Sequence, residues 1–329
     1  MRAIVVEAPG ELDALQLQED HERPAAGPGQ LLIKTAFAGL NFFDTLIRSG
    51  KYMRRPTYPN IIGGEVSGVV EQVGEGVEGF NIGDRVCALT GSYGGYAEFA
   101  VAEAGATFKL QDNVSMQQGA AYPLQVLTAW GVLFPSGRAQ AGHWVVVHAA
   151  AGGVGTALTQ LARDAGCQVI ATAGSNDKTA HALAHGAHHT INYTTEKWHA
   201  KVREFSGGHG ADIICDSVGK SMTLDNLRAI ARFGLIVVFG YASGAPEYAE
   251  NLLWGKSCGV TMYGLYHLTE DAALTQRAVT ETLSKVADGS LRLVINEVFP
   301  LERARDAQEK LENRGTIGKL LLEVDGSIK

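Results

Sequence analysis

The apolar run from Trp144 to Ala149 passes directly into Ala149-Ala150-Ala151-Gly152-Gly153-Val154-Gly155, and then into a stretch with helical periodicity. In that stretch Val154, Ala157, Leu158, Leu161, Ala162 and Ala165 form one apolar stripe, so a helix is expected over 154–165. A strand, a glycine-rich bend and an amphipathic helix in this order constrain the fold more than any other feature of the chain. They form the phosphate-binding turn of a dinucleotide-binding βαβ unit. In register with that fingerprint, Ala150 takes the first glycine position, Gly152 the second and Gly155 the third. Gly152 lets a pyrophosphate approach the backbone, and Gly155 lets helix and strand pack closely. Ala151, Gly153 and Val154 complete the bend, where the helix N-terminus offers unpaired N–H groups and positive dipole to phosphates.

The second strand of such a unit ends about 20 residues beyond the fingerprint, where an enzyme using NAD places Asp or Glu against the ribose 2′-hydroxyl. Here the strand reads Val169-Ile170-Ala171-Thr172-Ala173 and ends in Gly174-Ser175, with no carboxylate. A 2′-phosphate meets no repulsion there. Ser175 can donate its hydroxyl and Lys178 a compact positive charge, so NADPH is the expected cofactor. Hydrogen bonds to charged groups are worth about 1.5–3 kcal/mol each, enough for a hundredfold preference from two of them. Asp177 beside Lys178 leaves open a solvated helix lysine. Tyr193 suits an adenine platform or a further phosphate donor, and suits a packing role almost equally.

Beyond Leu124 the pattern alternates strand and helix, with further strands at Gln168–Thr172, Asp212–Cys215, Leu235–Phe239 and Gly259–Tyr263. That is an α/β doubly wound parallel sheet, because parallel strands require crossover helices on the sheet faces. Before about residue 121, short β runs are separated by turns such as Gly27-Pro28-Gly29 and Gly74-Glu75-Gly76, which describes a mostly β domain. After it come a long helix over Thr269–Ala287, a strand Leu293–Phe299, a helix Glu302–Asn313 and a strand Lys319–Val324. With 329 residues, two domains are expected.

Net charge is −7 with no basic run, which argues against a nucleic-acid partner. No apolar run approaches the roughly 20 residues of a membrane span, and residues 1–7 read as a strand, not a signal peptide. Cys87, Cys167, Cys215 and Cys258 include no close pair, which suits a reducing cytoplasm.

The chain resembles the quinone oxidoreductases, zinc-independent members of the medium-chain dehydrogenase/reductase superfamily. The resemblance rests on Gly39-Leu40-Asn41-Phe42-Phe43-Asp44, Arg48-Ser49-Gly50-Lys51-Tyr52, Gly63-Gly64-Glu65-Val66-Ser67-Gly68, Gly83-Asp84-Arg85-Val86, Gly94-Gly95-Tyr96-Ala97-Glu98, the fingerprint, and Gly318-Lys319. It covers essentially the whole length. It implies a GroES-like catalytic domain over residues 1–122 and 267–329, a Rossmann domain over 123–266, and a cleft holding nicotinamide and substrate. It also implies a homodimer joined through edge strands, here Gly259–Tyr263.

Zinc alcohol dehydrogenases of the same superfamily carry a cysteine where this chain has the Asn41 region, a histidine where it has Gly64, and a second cysteine near Leu124. None of these ligand types is present here, and a catalytic zinc needs three protein ligands. Hydride delivered to an isolated ketone creates a localised alkoxide that a metal would stabilise, whereas a quinone or enone spreads the charge. A conjugated carbonyl acceptor is therefore expected. Candidate catalytic residues are Asn41, as a hydrogen-bond donor to substrate or nicotinamide, and Tyr52, as a polarising or proton-relaying phenol. Asp44 orders their loop. Asn41 also suits a helix cap and Tyr52 a packing role. Thr128 matches a family position beside the nicotinamide and also suits a capping hydroxyl, Phe239 and Gly240 end a Rossmann strand, and Lys319 suits cofactor phosphate, the cleft or, almost equally, a strand end at the surface. An enoyl-thioester or alkenal reductase, and a non-catalytic NADPH-binding redox sensor, are the rival readings. The histidines 181, 185, 188 and 189 are interrupted by Gly186 and read as a helix end, not a metal site.

Overall fold

A computed structural model describes residues 1–52, 57–91 and 93–329. The chain divides into two compact units, Met1–Leu124 with Thr269–Lys329, and Gln125–Leu268. Each junction lies two residues beyond the one that the family resemblance implies.

The second unit is built on six strands: β1 (Trp144–Val147), β2 (Gln168–Ala173), β3 (His189–Asn192), β4 (Ala211–Asp216), β5 (Ile230–Val238) and β6 (Gly259–Met262). They lie in the order β3-β2-β1-β4-β5-β6 with every pairing parallel. The crossovers include helices α1 (Gly153–Asp164), α2 (Asn176–Ala184), α3 (Trp198–Phe205) and α4 (Thr223–Ala229). Helices on both faces explain why Val145, Val146 and Val147 are all fully buried, in a run with no polar alternation. On α1 the expected stripe is buried at Ala157, Leu158, Leu161 and Ala162 and half-buried at Val154 and Ala165, and Thr156, Thr159 and Gln160 are buried as well. This is the doubly wound Rossmann order, and its direction reverses between β1 and β4, which opens a crevice at the carboxyl ends of the strands.

Among the described residues the first unit holds two sheets. A small one pairs Ala3–Val6 with Gln16–Gln18 and Asn60–Ile61. The larger runs Ile295–Pro300, Lys319–Glu323, Gln30–Gly39, Glu65–Val73, Arg85–Leu89 and Thr107–Lys109, with Phe99–Glu103 also paired to Gln30–Gly39. Strands from both ends of the chain share this sheet, so the C-terminal segment completes the first domain. Its core gathers Leu31, Ile33, Ile47, Val66, Leu320 and Leu322, each at most 2% exposed.

The strand Gln30–Gly39 is antiparallel to both Glu65–Val73 and Lys319–Glu323. Antiparallel pairing sets the end of one strand beside the start of its neighbour. Asn41, Glu65 and Lys319, remote in sequence, therefore meet at one end of the sheet.

One expected helix is two. Helix Leu265–Glu270 stops, and Ala272–Ala287 begins afresh behind Asp271, whose carboxylate accepts from the Leu274 N–H at 2.9 Å. A capping residue has extended backbone, which interrupts a helical run.

Candidate active and cofactor sites

At the end of β1 the chain turns through Ala149, whose φ of 49° lies in the left-handed region. Holding an alanine there costs roughly 1–2 kcal/mol. The strained position is thus one residue before Ala150, which takes the first glycine place of the fingerprint. A Cβ on Gly155 would stand 2.3 Å from the Ala149 carbonyl oxygen, so this glycine lets α1 approach the strand, as expected. On Gly153 a Cβ would collide with the Gln125 side chain at 1.7 Å. Gly152 is the N-cap of α1 and offers no side-chain bond to the first-turn N–H groups; a Cβ there would meet only the Ala149 oxygen, at 3.3 Å. An open glycine beneath unclaimed helix N–H donors fits a pyrophosphate.

Beyond β2, Ser175 caps α2, and its Oγ accepts from the Lys178 N–H at 3.4 Å. Gly174 has the Tyr193 phenol against it, 2.7 Å from where a Cβ would be. The missing side chain at Gly174 makes room for that ring. Gly174, Ser175, Lys178 and Tyr193 are therefore neighbours around one turn with no carboxylate at the strand end. Across the sheet, the Phe239 N–H donates to the Asp216 carbonyl at 2.8 Å, and Gly240 lies close on Ser217, so the turns after β4 and β5 are packed together. Thr128 is 7% exposed in the helix Pro123–Gly131.

In the first unit, the Lys319 ammonium donates to Asn41 Oδ1 and to Glu65 Oε1, both at 2.5 Å. Asn41 Nδ2 donates to the same Glu65 oxygen at 3.0 Å and to the Gly39 carbonyl at 3.3 Å. Glu65 Oε2 accepts from the Leu124 N–H at 2.8 Å. The Lys319 and Glu65 side chains are 4% and 0% exposed, a buried pair whose desolvation is offset only by this complete set of partners. Gly39 has no room for a Cβ, which would stand 2.6 Å from Glu65 Oε1. Lys319, expected at cofactor phosphate or the cleft, has both of these hydrogen bonds inside the first unit. The Asn41 amide is oriented by the same pair, because an ammonium only donates and a carboxylate only accepts.

Asp44 closes the start of helix Phe42–Arg48, accepting from the Asn41 N–H at 2.8 Å and the Tyr96 hydroxyl at 2.9 Å. Its other oxygen is buried without a partner. Burial raises its pKa to about 7 against these two hydrogen bonds. These bonds tie Asp44 to the first turn of its helix and to Tyr96. Tyr52 is half-buried, with its ring 5.7 Å from that of Phe43.

Sequence reasoning did not single out the buried, hydrogen-bonded Glu65, nor His148, Thr172, Asp216 and Asn226. The available signal was a lone polar residue within or beside an apolar strand run, such as Lys319 before Leu320-Leu321-Leu322. Among the described residues no group of three His, Cys, Asp or Glu side chains is arranged to hold a metal ion. His181 instead stacks on His185 at 4.1 Å and meets Thr156 Oγ1 at 3.0 Å.

Residues 27–112 match the alcohol dehydrogenase GroES-like domain, and residues 153–282 match the zinc-binding dehydrogenase family. The chain is 35% identical to a quinone oxidoreductase of Rattus norvegicus over 323 residues, 98% of this chain and 97% of that one. The crystal structure of Escherichia coli quinone oxidoreductase complexed with NADPH superposes with a TM-score of 0.94 at 31% identity, covering 98% of this chain and 100% of that one. A 2-haloacrylate reductase of Burkholderia sp is 32% identical over 305 residues, 90% of this chain and 91% of its own length.

Proposed function

The chain belongs to the quinone oxidoreductases, zinc-independent members of the medium-chain dehydrogenase/reductase superfamily, and we propose that it reduces a quinone or other conjugated carbonyl compound with NADPH. The observation that carries the cofactor reading is the turn after β2, where Tyr193 lies over Gly174 and Ser175 and Lys178 follow, with no acidic side chain at the strand end. A 2′-phosphate is accommodated there and a carboxylate's repulsion is missing. When bound, NADPH supplies the hydride. The chain's own part is to orient the phosphates on the α1 N-terminus, hold the reacting groups in place and provide a hydrogen-bond donor to the acceptor oxygen.

In this reading Tyr52 donates to that oxygen and Thr128, Phe239 and Gly240 border the nicotinamide. Asn41, expected as a donor to substrate or nicotinamide, already has its amide hydrogens on the Glu65 carboxylate and the Gly39 carbonyl and its oxygen on Lys319, so its part is to order the strand end. Tyr52→Phe is then expected to lower turnover without loss of NADPH affinity, and an unchanged rate would remove the phenol from the reaction. The likeness to a 2-haloacrylate reductase supports a second reading in which the acceptor is an activated alkene. Steady-state NADPH oxidation with 1,4-benzoquinone, 9,10-phenanthrenequinone and an alkenal separates the two. Tight NADPH binding with no turnover of any acceptor would instead mark a redox sensor.

The protein is proposed to act as a homodimer. β6 is the edge of its sheet, with Met262 53% exposed on it and Trp254 86% exposed shortly before it. An open apolar edge strand is a template for pairing. Light scattering on Met262→Asp, expected to give monomers from a dimeric parent, tests this. No helix among the described residues is long and apolar enough to cross a membrane, and its four free cysteines suit the reducing cytoplasm.

A further inference from the structure

His148 follows β1 and is fully buried directly beneath the glycine bend, with both ring nitrogens engaged. Nδ1 lies 2.7 Å from Thr172 Oγ1 on β2, and Nε2 lies 2.8 Å from Asn226 Oδ1 on α4. Asn226 in turn donates through Nδ2 to Asp216 Oδ2 at 2.8 Å. The other Asp216 oxygen accepts from the N–H groups of Val218 and Gly219, at 2.7 and 3.0 Å.

The direction of this chain follows from its end. A carboxylate only accepts, so Asn226 must turn its NH2 toward Asp216 and its oxygen toward His148. Nε2 therefore carries the proton, Nδ1 is bare, and the Thr172 hydroxyl donates to it. Burial holds the His148 pKa down, opposed by Asp216 and Asn226, and the ring edge of Trp198 packs at 4.6 Å, so the imidazole stays neutral.

The links join separate turns at the carboxyl edge of the sheet. His148 leads into the strained Ala149 bend, and the Ala150 N–H donates to the Thr172 carbonyl at 3.2 Å. Thr172 precedes the turn of Gly174 and Ser175. Asp216 shapes the turn through Gly219, which bonds onward to the segment after β5: the Ser243 N–H donates to the Val218 carbonyl at 2.8 Å, and the Ser243 hydroxyl donates to it at 2.7 Å.

We propose that the Thr172–His148–Asn226–Asp216 chain is a positioning relay that holds the glycine bend, the 2′-phosphate turn and the turn after β4 in one register for NADPH. His148, Thr172 and Asn226 are positioning residues, not catalytic ones. The inference rests on the cofactor reading above, and goes beyond it by assigning affinity to side chains buried under the site. Satisfied buried networks rigidify what they connect, and a donor removed from one leaves its partner unpaired.

His148 itself supports too much of the core to be replaced cleanly, so the relay is cut at Thr172. Thr172→Val keeps the shape and removes the hydroxyl, while Thr172→Ser restores it. Four readouts are taken: NADPH affinity by fluorescence titration, kcat at saturating NADPH, the melting temperature of the ligand-free protein, and the imidazole 15N spectrum. Thr172→Val is expected to weaken NADPH by about tenfold, because the turns are no longer held in the binding register, with kcat within about twofold, and to lower the melt by several degrees because the bare His148 Nδ1 loses its buried donor. Thr172→Ser is expected to bind like the parent. The His148 signals should show a neutral Nε2–H ring that does not titrate between about pH 5 and 8. Equal NADPH affinity in Thr172→Val and the parent, or an Nδ1–H or titrating ring, would overturn the relay alone. Failure of the unmodified protein to bind NADPH would overturn the cofactor reading and the relay with it.

Discussion

Replacing Lys319 by Met removes an ammonium while keeping most of the side chain's volume, and so leaves Glu65 as a buried charge without its cation. Glu65 is fully buried and Lys319 nearly so, which puts the loss in the class of broken buried pairs, about 3–5 kcal/mol. The Asn41 amide and the Leu124 N–H still donate to Glu65, which argues for the lower end, about 3 kcal/mol. For a folding unit of this size each kcal/mol shifts the melting temperature by roughly 2–4 °C, so Lys319→Met should melt roughly 6–12 °C below the parent. The double variant Glu65→Gln with Lys319→Met removes both charges and should recover most of that loss, because the penalty belongs to the unpaired carboxylate. Differential scanning calorimetry of the four proteins in one buffer completes the cycle. A single variant that melts with the parent, or a double variant no better than the single, would refute the buried-pair account.

The Asp44 carboxyl predicts a pH dependence. Its folded-state pKa is raised, so the folded protein holds this proton more tightly than the unfolded chain, and stability from this group falls as pH rises from about 4 to about 7 and is flat above. Melting curves of Asp44→Asn against the parent should show the variant gaining ground from pH 5 to 8, by up to a few kcal/mol; a constant difference would place the titration elsewhere. Lys178→Ala should raise the NADPH Michaelis constant by tenfold or more and the NADH one far less, and equal changes would remove Lys178 from the 2′-phosphate. Gly155→Ala places a methyl carbon against the Ala149 oxygen and should abolish NADPH binding in titrations where the parent binds; retained affinity would contradict the tight helix-to-strand approach.

Much of the second unit was legible because parallel strands buried on both faces leave uninterrupted apolar runs, and because a glycine bend between strand and helix has few other uses. The mostly β character of the first unit was legible from its turns. What could not be read was which buried polar groups find one another. Glu65 and Lys319 lie 254 residues apart, and Arg48 and its partner Gln308 lie 260 apart. Strand pairing brings the first pair together and the packing of two helices, Phe42–Arg48 and Ala304–Glu312, the second, and the apolar pattern records burial without naming partners. The same holds for His148, just after β1, and Asn226, on the helix α4 packed against the sheet. The left-handed alanine was hidden for another reason: Ala149 carries a conformation that glycine adopts more easily, so its type gives no local signal. Asp271 did carry a capping signal, which the strong helical periodicity on either side obscured.

The central claim is that a phosphorylated pyridine nucleotide delivers hydride to a conjugated acceptor with no help from a metal. Stopped-flow oxidation of NADPH by 9,10-phenanthrenequinone, using protein dialysed against a strong chelator and assayed for bound zinc, tests it most directly. The expected result is the same rate before and after dialysis at far less than one zinc per chain, with NADH much slower. A rate that disappears on dialysis and returns with one equivalent of zinc, or no oxidation of either nucleotide, would contradict it.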